Sequence, residues 1–223
     1  MFCKTCVTTL CLAAVAAVGI AAGFSQPGKD HKSPTPSAPA AGHGQPGDMQ
    51  LPPGVTMEDM KACIEAGTPG EMHAWLAKSA GTWKGKETMW MAPGAPAVTA
   101  DVTSVATSLM DGRYVQCNIT GEMMGQPFHG ISTSGYDNMA KKFVATWIDN
   151  HGTGIMQGTG ELSSDKKTLT WNYTFVNPMT KKQDTMREVD TFTGPDSFTM
   201  DMYGNDKTGK EYKMIHIEFT RQK

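Results

Sequence analysis

Residues 168–176 read TLTWNYTFV. Successive side chains of an extended strand point to opposite faces, so Leu169, Trp171, Tyr173 and Phe175 share one side. Thr168, Thr170, Asn172 and Thr174 take the other. One apolar and one wet face is the pattern of a sheet that curls around its own interior. The alternation recurs downstream. SFTMDMY (197–203) sets Phe198, Met200 and Met202 against Ser197, Thr199 and Asp201, and EYKMIHIEFTR (211–221) sets Ile215, Ile217 and Phe219 against His216 and Glu218.

Working outward, the period of two holds from Gly81 to Arg221, and the spacing predicts about ten strands. They are expected at 82–91, 98–109, 113–121, 127–136, 142–149, 153–162, 168–176, 183–192, 197–203 and 211–221. Turn-forming clusters separate them, among them Asp111-Gly112, Asp137-Asn138, Ser164-Asp165, Asn177-Pro178 and Gly194-Pro195. The Lys pairs 141–142, 166–167 and 181–182 also fall at turns and read as solvated gatekeepers. With no helix between strands and short connections throughout, a closed up-and-down antiparallel barrel hides the sheet edges better than a split sandwich. The fold class is therefore all-β, an up-and-down antiparallel barrel of about ten strands over 81–223.

Residues 55–80 form a helical preface. Thr56-x-x-Asp59 and Thr68-Pro69-Gly70-Glu71 both pair a capping hydroxyl with a carboxylate three positions on, and Pro69 suits the first position of a helix. The first helix presents Met57, Met60 and Ile64. The second presents Met72, Trp75, Leu76 and Ala80 as a lid or plug for a barrel end. Before it, residues 26–54 hold seven of the 13 prolines and five glycines, a spacer too poor in apolar side chains to fold. Residues 1–25 read as a secretory signal, with Lys4, the uncharged run 7–22 and small residues at Ala21, Gly23 and Ser25. The alternative is a retained anchor, against which the run falls short of the roughly 20 residues of a spanning helix. Export to the periplasm or the exterior is expected, with no membrane span after signal removal. Cys3, Cys6 and Cys11 leave with the signal, so Cys63 and Cys117 either close one disulfide or stay as two buried free thiols.

Lys and Arg number 20 and Asp and Glu 22, a formal charge of -2, which supplies no field for nucleic acid. Arg occurs only at 113, 187 and 221. Gly81-Thr82-Trp83 opens the first strand and Arg221 nearly closes the last. The arrangement resembles that of lipocalins and fatty-acid-binding proteins, where a basic side chain stacks on such a Trp to close the barrel end. If Trp83 points inward, so does Glu87, and a buried carboxylate needs a partner. Arg187 is the expected partner, the pair fixing the polar end of a ligand; the alternatives are a purely structural salt bridge or an outward Glu87.

The motifs TPGEMHAWLAKSAGTW (68–83), GEMMGQPFHGISTSGYDN (121–138), Trp147 and Asp149 in ATWIDN, TGIM (153–156), MREV (186–189) and EYKMIHIEFTR (211–221) together resemble the domain-of-unknown-function 1579 family. The resemblance covers about two-thirds of the chain. It implies a calycin-like barrel and brings no established activity, substrate or catalytic residue. His216 stands where similar sequences tend to carry an acidic residue.

Several function classes follow. The first is a non-catalytic carrier whose barrel holds a small hydrophobic or amphipathic ligand, lined by Trp171, Tyr173, Phe175, Phe198, Met200 and Met202, with Phe128, Phe143 and Trp147 added. Methionine adapts to irregular ligands, and the chain has 17. The bland alternative is an interior filled by those same side chains. The second is haem or metal binding as in nitrobindin-type barrels, against which the alternation turns His129 and His216 outward and leaves His151 in a turn. The third is a structural or interaction module of the cell envelope tethered by the spacer. Catalysis is weakest: Asp149, His151 and Glu161 cluster around one hairpin, but no nucleophile, metal or phosphate-loop spacing occurs. No catalytic residue, metal site or cofactor is assigned, and the oligomeric state is left open.

Overall fold

The computed structural model describes residues 53–178 and 180–223. The expected export signal and the spacer as far as residue 52 lie outside the described residues. Glu65 to Lys223 belongs to one compact unit, and the described residues before Glu65 belong to another.

Two helices precede the sheet, α1 (Met57–Gly67) and α2 (Glu71–Ala77). Asp59 and Thr56 form the expected reciprocal cap: the Thr56 N–H donates to Asp59 Oδ2 at 2.8 Å and the Asp59 N–H to Thr56 Oγ1 at 3.1 Å. The apolar positions of α1 bury nothing, with Met57 72% and Ile64 62% exposed. The start of α2 differs from expectation. Its N-cap is Gly70, whose N–H donates to Nδ1 of His73 at 3.0 Å. His73 thus turns inward, buried edge-on against Tyr136, because its ring satisfies an orphan amide of the first turn.

Ten strands follow: β1 (Gly81–Trp90), β2 (Ala97–Leu109), β3 (Tyr114–Met123), β4 (Gln126–Asp137), β5 (Lys142–Asp149), β6 (Met156–Leu162), β7 (Thr168–Val176), β8 (Gln183–Gly194), β9 (Ser197–Asn205) and β10 (Glu211–Arg221). Each pairs antiparallel with its sequence neighbour, and β1 pairs with β10 from Trp83↔Arg221 to Met89↔Ile215, which closes the barrel. Most strand ends match the sequence reading within two residues. β6 begins at Met156 rather than at 153, since 153–155 belong to the turn before it. The hairpin between β3 and β4 is tighter than expected: Met123 pairs with Gln126 across the two left-handed residues Met124 and Gly125. Lys141, Lys166 and Lys181 take the same left-handed conformation at their turns.

The alternation puts Leu169, Trp171 and Tyr173 in the core with Phe143, Val115 and Met186, while a second cluster gathers Trp83, Val102, Ile217 and Phe219. The large inward rings need room, and glycine on the neighbouring strand supplies it. A Cβ on Gly160 would lie 2.7 Å from Trp171 and 3.0 Å from Phe143, and one on Gly158 would lie 2.5 Å from Tyr173. α2 covers the barrel end at which β1 starts: Trp75 meets Phe143 of β5 at 5.6 Å and Phe192 of β8 at 5.2 Å between centroids. Asn138 fastens the preceding chain there, its Nδ2 donating to the carbonyls of Ala66 at 3.1 Å and Thr68 at 2.9 Å.

Candidate functional site: the barrel interior

The interior is not filled. A cavity of about 550 Å³ lies within the barrel, bounded at the α2 end by Trp75 and Leu76 and toward the opposite end by Phe128, Trp147 and Met156. Trp171, Tyr173, Phe198, Met200 and Met202 all line it. Phe128 stacks on Trp147 with 20° between ring planes, and Trp147 Nε1 donates to Asp149 Oδ2 at 2.8 Å, which fixes the indole. Trp147 lies across Gly130, where a Cβ would approach the ring to 2.2 Å.

A polar belt interrupts this lining. Across the β7/β8 ladder Trp171 pairs with Glu188 and Leu169 with Asp190, so both carboxyls share the inward face with Met186 and Phe192. Trp171 Nε1 donates to Asp190 Oδ2 at 3.2 Å. Both acids are half-exposed, but what they are exposed to is the cavity rather than bulk water. Burial pushes the Asp190 carboxyl up to about 7, against the opposing Trp171 hydrogen bond. Burial and the charge of Asp190 hold Glu188 well above the ordinary carboxylate range. Like charges so placed in an apolar surround do not both ionise readily. Burial pushes the Cys117 thiol up to about 11, the charges of the two acids adding to the effect and the neighbouring Ser132 and Ser104 hydroxyls opposing it. It is therefore a poor nucleophile at neutral pH.

Glu188 and Asp190 escaped the sequence reading. Their signal was present: Met186, Glu188, Asp190 and Phe192 lie at period two on β8, with apolar residues flanking both acids. Both faces of that strand carry polar groups, so only the register with Trp171 decides which face looks inward.

The expected Glu87–Arg187 pair is not formed. Arg187 stands opposite Asn172 on the outer face, where it makes a two-pronged bond to Glu211 at 2.9 and 2.6 Å and lies 4.0 Å over the Tyr203 ring. The ion pair with Glu211 raises the guanidinium and lowers the carboxyl. The inward face of β8 carries Glu188 instead, so Arg187 lines no part of the cavity. Glu87 does point inward, 7% exposed opposite Ile217, with no hydrogen-bond or ion-pair partner among the described residues, and burial raises its carboxyl.

The barrel end carries the Trp83–Arg221 stack, the guanidinium carbon 4.1 Å from the ring centroid. Arg221 also donates to the carbonyls of Ala80 and Lys78 and pairs with Asp196 at 3.0 Å, while Trp83 Nε1 donates to Ser79 O at 2.8 Å. Of the two alternatives for Cys63 and Cys117, the structure has free thiols, with Cys63 exposed rather than buried and Cys117 half-buried.

The histidines of the strands face out: His129 is exposed, and His216 Nδ1 lies 2.6 Å from Asp201 on the outer face. His151 sits in the turn after β5, its N–H donating to Asp149 Oδ1 at 2.9 Å. Asp149 lines the cavity, whereas Glu161 is exposed on the opposite face of the sheet, so these groups do not converge. Among the described residues no group of three His, Cys, Asp or Glu is placed to hold a metal, and no helix is long and apolar enough to cross a membrane.

Among solved structures the chain is similar to Rv2717c from M. tuberculosis, with 11% sequence identity and a TM-score of 0.51, over 70% of this chain and all of that one. At this identity the likeness concerns the fold alone. A redesigned beta barrel also matches, with 14% identity and a TM-score of 0.35, over 68% of this chain and 95% of that one. No curated protein matches the chain by sequence. The sequence profile of the family described as "Protein of unknown function (DUF1579)" matches residues 68–221, the second helix and the whole barrel, and the chain belongs to that family.

Proposed function

We propose that this protein is an exported carrier that holds a small, mainly apolar ligand inside the barrel without transforming it. The observation that carries the reading is the cavity of about 550 Å³ lined by Trp147, Trp171, Tyr173, Phe198, Met200 and Met202. A well-packed interior leaves few voids larger than a water molecule, whereas ligand sites run to roughly 300–1,000 Å³. The flexible methionines suit ligands of irregular shape. Export is supported by the apolar run at 7–22 and the small residues that follow it.

The test uses N-phenyl-1-naphthylamine, a neutral apolar dye that brightens out of water. The protein is expected to bind it at a single site, and Ser132→Phe, which places a ring in the cavity, abolishes the signal in a variant that still melts cooperatively. Dye bound equally by both proteins would place it on the outer surface and end the carrier reading. Export is checked by expressing the full chain and measuring the N-terminus and compartment of the product; an uncleaved cytosolic product would refute it.

A further inference from the structure

The cavity is apolar on most sides, and away from the α2 end its charged lining is acidic: Asp149, Glu188 and Asp190. Glu188 has no hydrogen-bond or ion-pair partner among the described residues, and Asp190 has only the Trp171 indole. An independent observation points the same way. Tyr173 is 6% exposed and lines the cavity, and its hydroxyl has no hydrogen-bond partner among the described residues. Tyr173 sits diagonally across the ladder from Glu188, within the reach of such neighbours, and feels the charges of both acids. Polar groups that face an apolar cavity in this state are normally completed by a bound group or by water.

Among the described residues no lysine or arginine completes them. The cations that border the cavity, Lys78, Lys166 and Arg221, lie at the α2 end. There Lys166 is held by Glu71, and Arg221 by Asp196 and backbone carbonyls. On the far wall Ser104 and Ser132 are turned to Cys117.

We infer that the ligand's polar head is a protonated amine seated between Glu188 and Asp190 with the Tyr173 hydroxyl beside it, so that the barrel selects aliphatic or aromatic amines over fatty acids and alcohols. An ammonium carries three donors and one positive charge, which matches the oxygens of the acid pair and the negative charge the pair takes on when a proton leaves it. A fatty acid would bring a third carboxyl to the same place, and like charges repel. An alcohol would hydrogen-bond but would bring no charge to favour ionisation of the pair. Two carboxylates in an apolar surround are also a poor set for a hard metal ion, which takes six or more oxygens. The inference rests on the carrier reading and specifies its ligand class.

Displacement of N-phenyl-1-naphthylamine from the full chain at neutral pH by decylamine, decanol and decanoate tests it. Decylamine is expected to compete most strongly, by roughly tenfold over decanol, with decanoate weakest. Glu188→Gln and Asp190→Asn should each erase most of that amine preference while leaving decanol unchanged. Equal competition by decylamine and decanol, or strongest competition by decanoate, overturns the amine assignment with the carrier reading intact. Failure of the dye and all three probes to bind overturns both. Should either variant fail to fold, the ranking on the unaltered protein decides alone.

Discussion

Arg221 lies 4.1 Å over the Trp83 ring while its guanidinium also donates to the carbonyls of Lys78 and Ala80, so one side chain ties the last strand both to the first strand and to the turn before it. A planar fork can do all of this at once; an ammonium cannot. Arg221→Lys is therefore expected to cost about 1–3 kcal/mol in urea denaturation. In a double-mutant cycle with Trp83→Leu the coupling is expected at about 0.5–2 kcal/mol. Strict additivity of the two variants would show that the stack contributes nothing.

Gly160 leaves no space for a methyl group, because Trp171 and Phe143 are 4% and 2% exposed and already in van der Waals contact with it. Neither ring has anywhere to go. Gly160→Ala should destabilise the barrel by about 1–3 kcal/mol, against the usual benefit of replacing glycine in a strand. A thermal midpoint equal to or above that of the unaltered protein would contradict the packing described.

Asp190 gives stability a defined pH dependence. Its carboxyl is raised from 3.8 to about 7 by burial, so the folded state keeps a proton that the unfolded chain has already released. The contribution is complete below about pH 4 and is lost as pH rises through about 7, with a slope of at most about 1.4 kcal/mol per pH unit. Glu188, raised as well, adds to the loss. Urea midpoints taken between about pH 5 and pH 8 should fall more steeply for the unaltered protein than for Asp190→Asn. Parallel profiles would mean that the acid is solvated.

The Arg187–Glu211 bridge on the outer face should matter little. Its side chains are 34% and 47% exposed, so Glu211→Gln is expected to change stability by less than about 1 kcal/mol, and less still at high salt. Dye affinity should not move. A large loss of binding in Arg187→Lys would bring that arginine back into consideration as a ligand contact.

Alternation is a backbone property, and where one face was uniformly apolar, as at Leu169, Trp171 and Tyr173, the sequence disclosed both strand and orientation. Turns were legible where Asp and Gly marked them; the connection expected at 122–126 is shorter than its sequence suggests, because Met124 adopts a left-handed conformation that methionine seldom signals. The α2 cap was read as a threonine hydroxyl because hydroxyls usually fill that place; an imidazole acceptor at His73 has no comparable sequence pattern. Charge complementarity with Glu87 points Arg187 inward, whereas the inward side of β8 is set by its register to β7, a relation between strands that one strand's composition does not contain.

Of the ten strand pairings, only β1 with β10 joins elements remote in sequence, and the Lys78 carbonyl and the Arg221 guanidinium that meet at that seam are 143 positions apart. The hairpins can form from local encounters, while the seam requires closure of nearly the whole chain, an entropic demand that local hydrogen bonds do not offset. Closure then comes late in folding. A nascent or partly folded molecule would present the open edges of β1 and β10 as templates for another chain, and weakening the seam at Arg221 would hasten unfolding and self-association more than it slows the formation of the sheet.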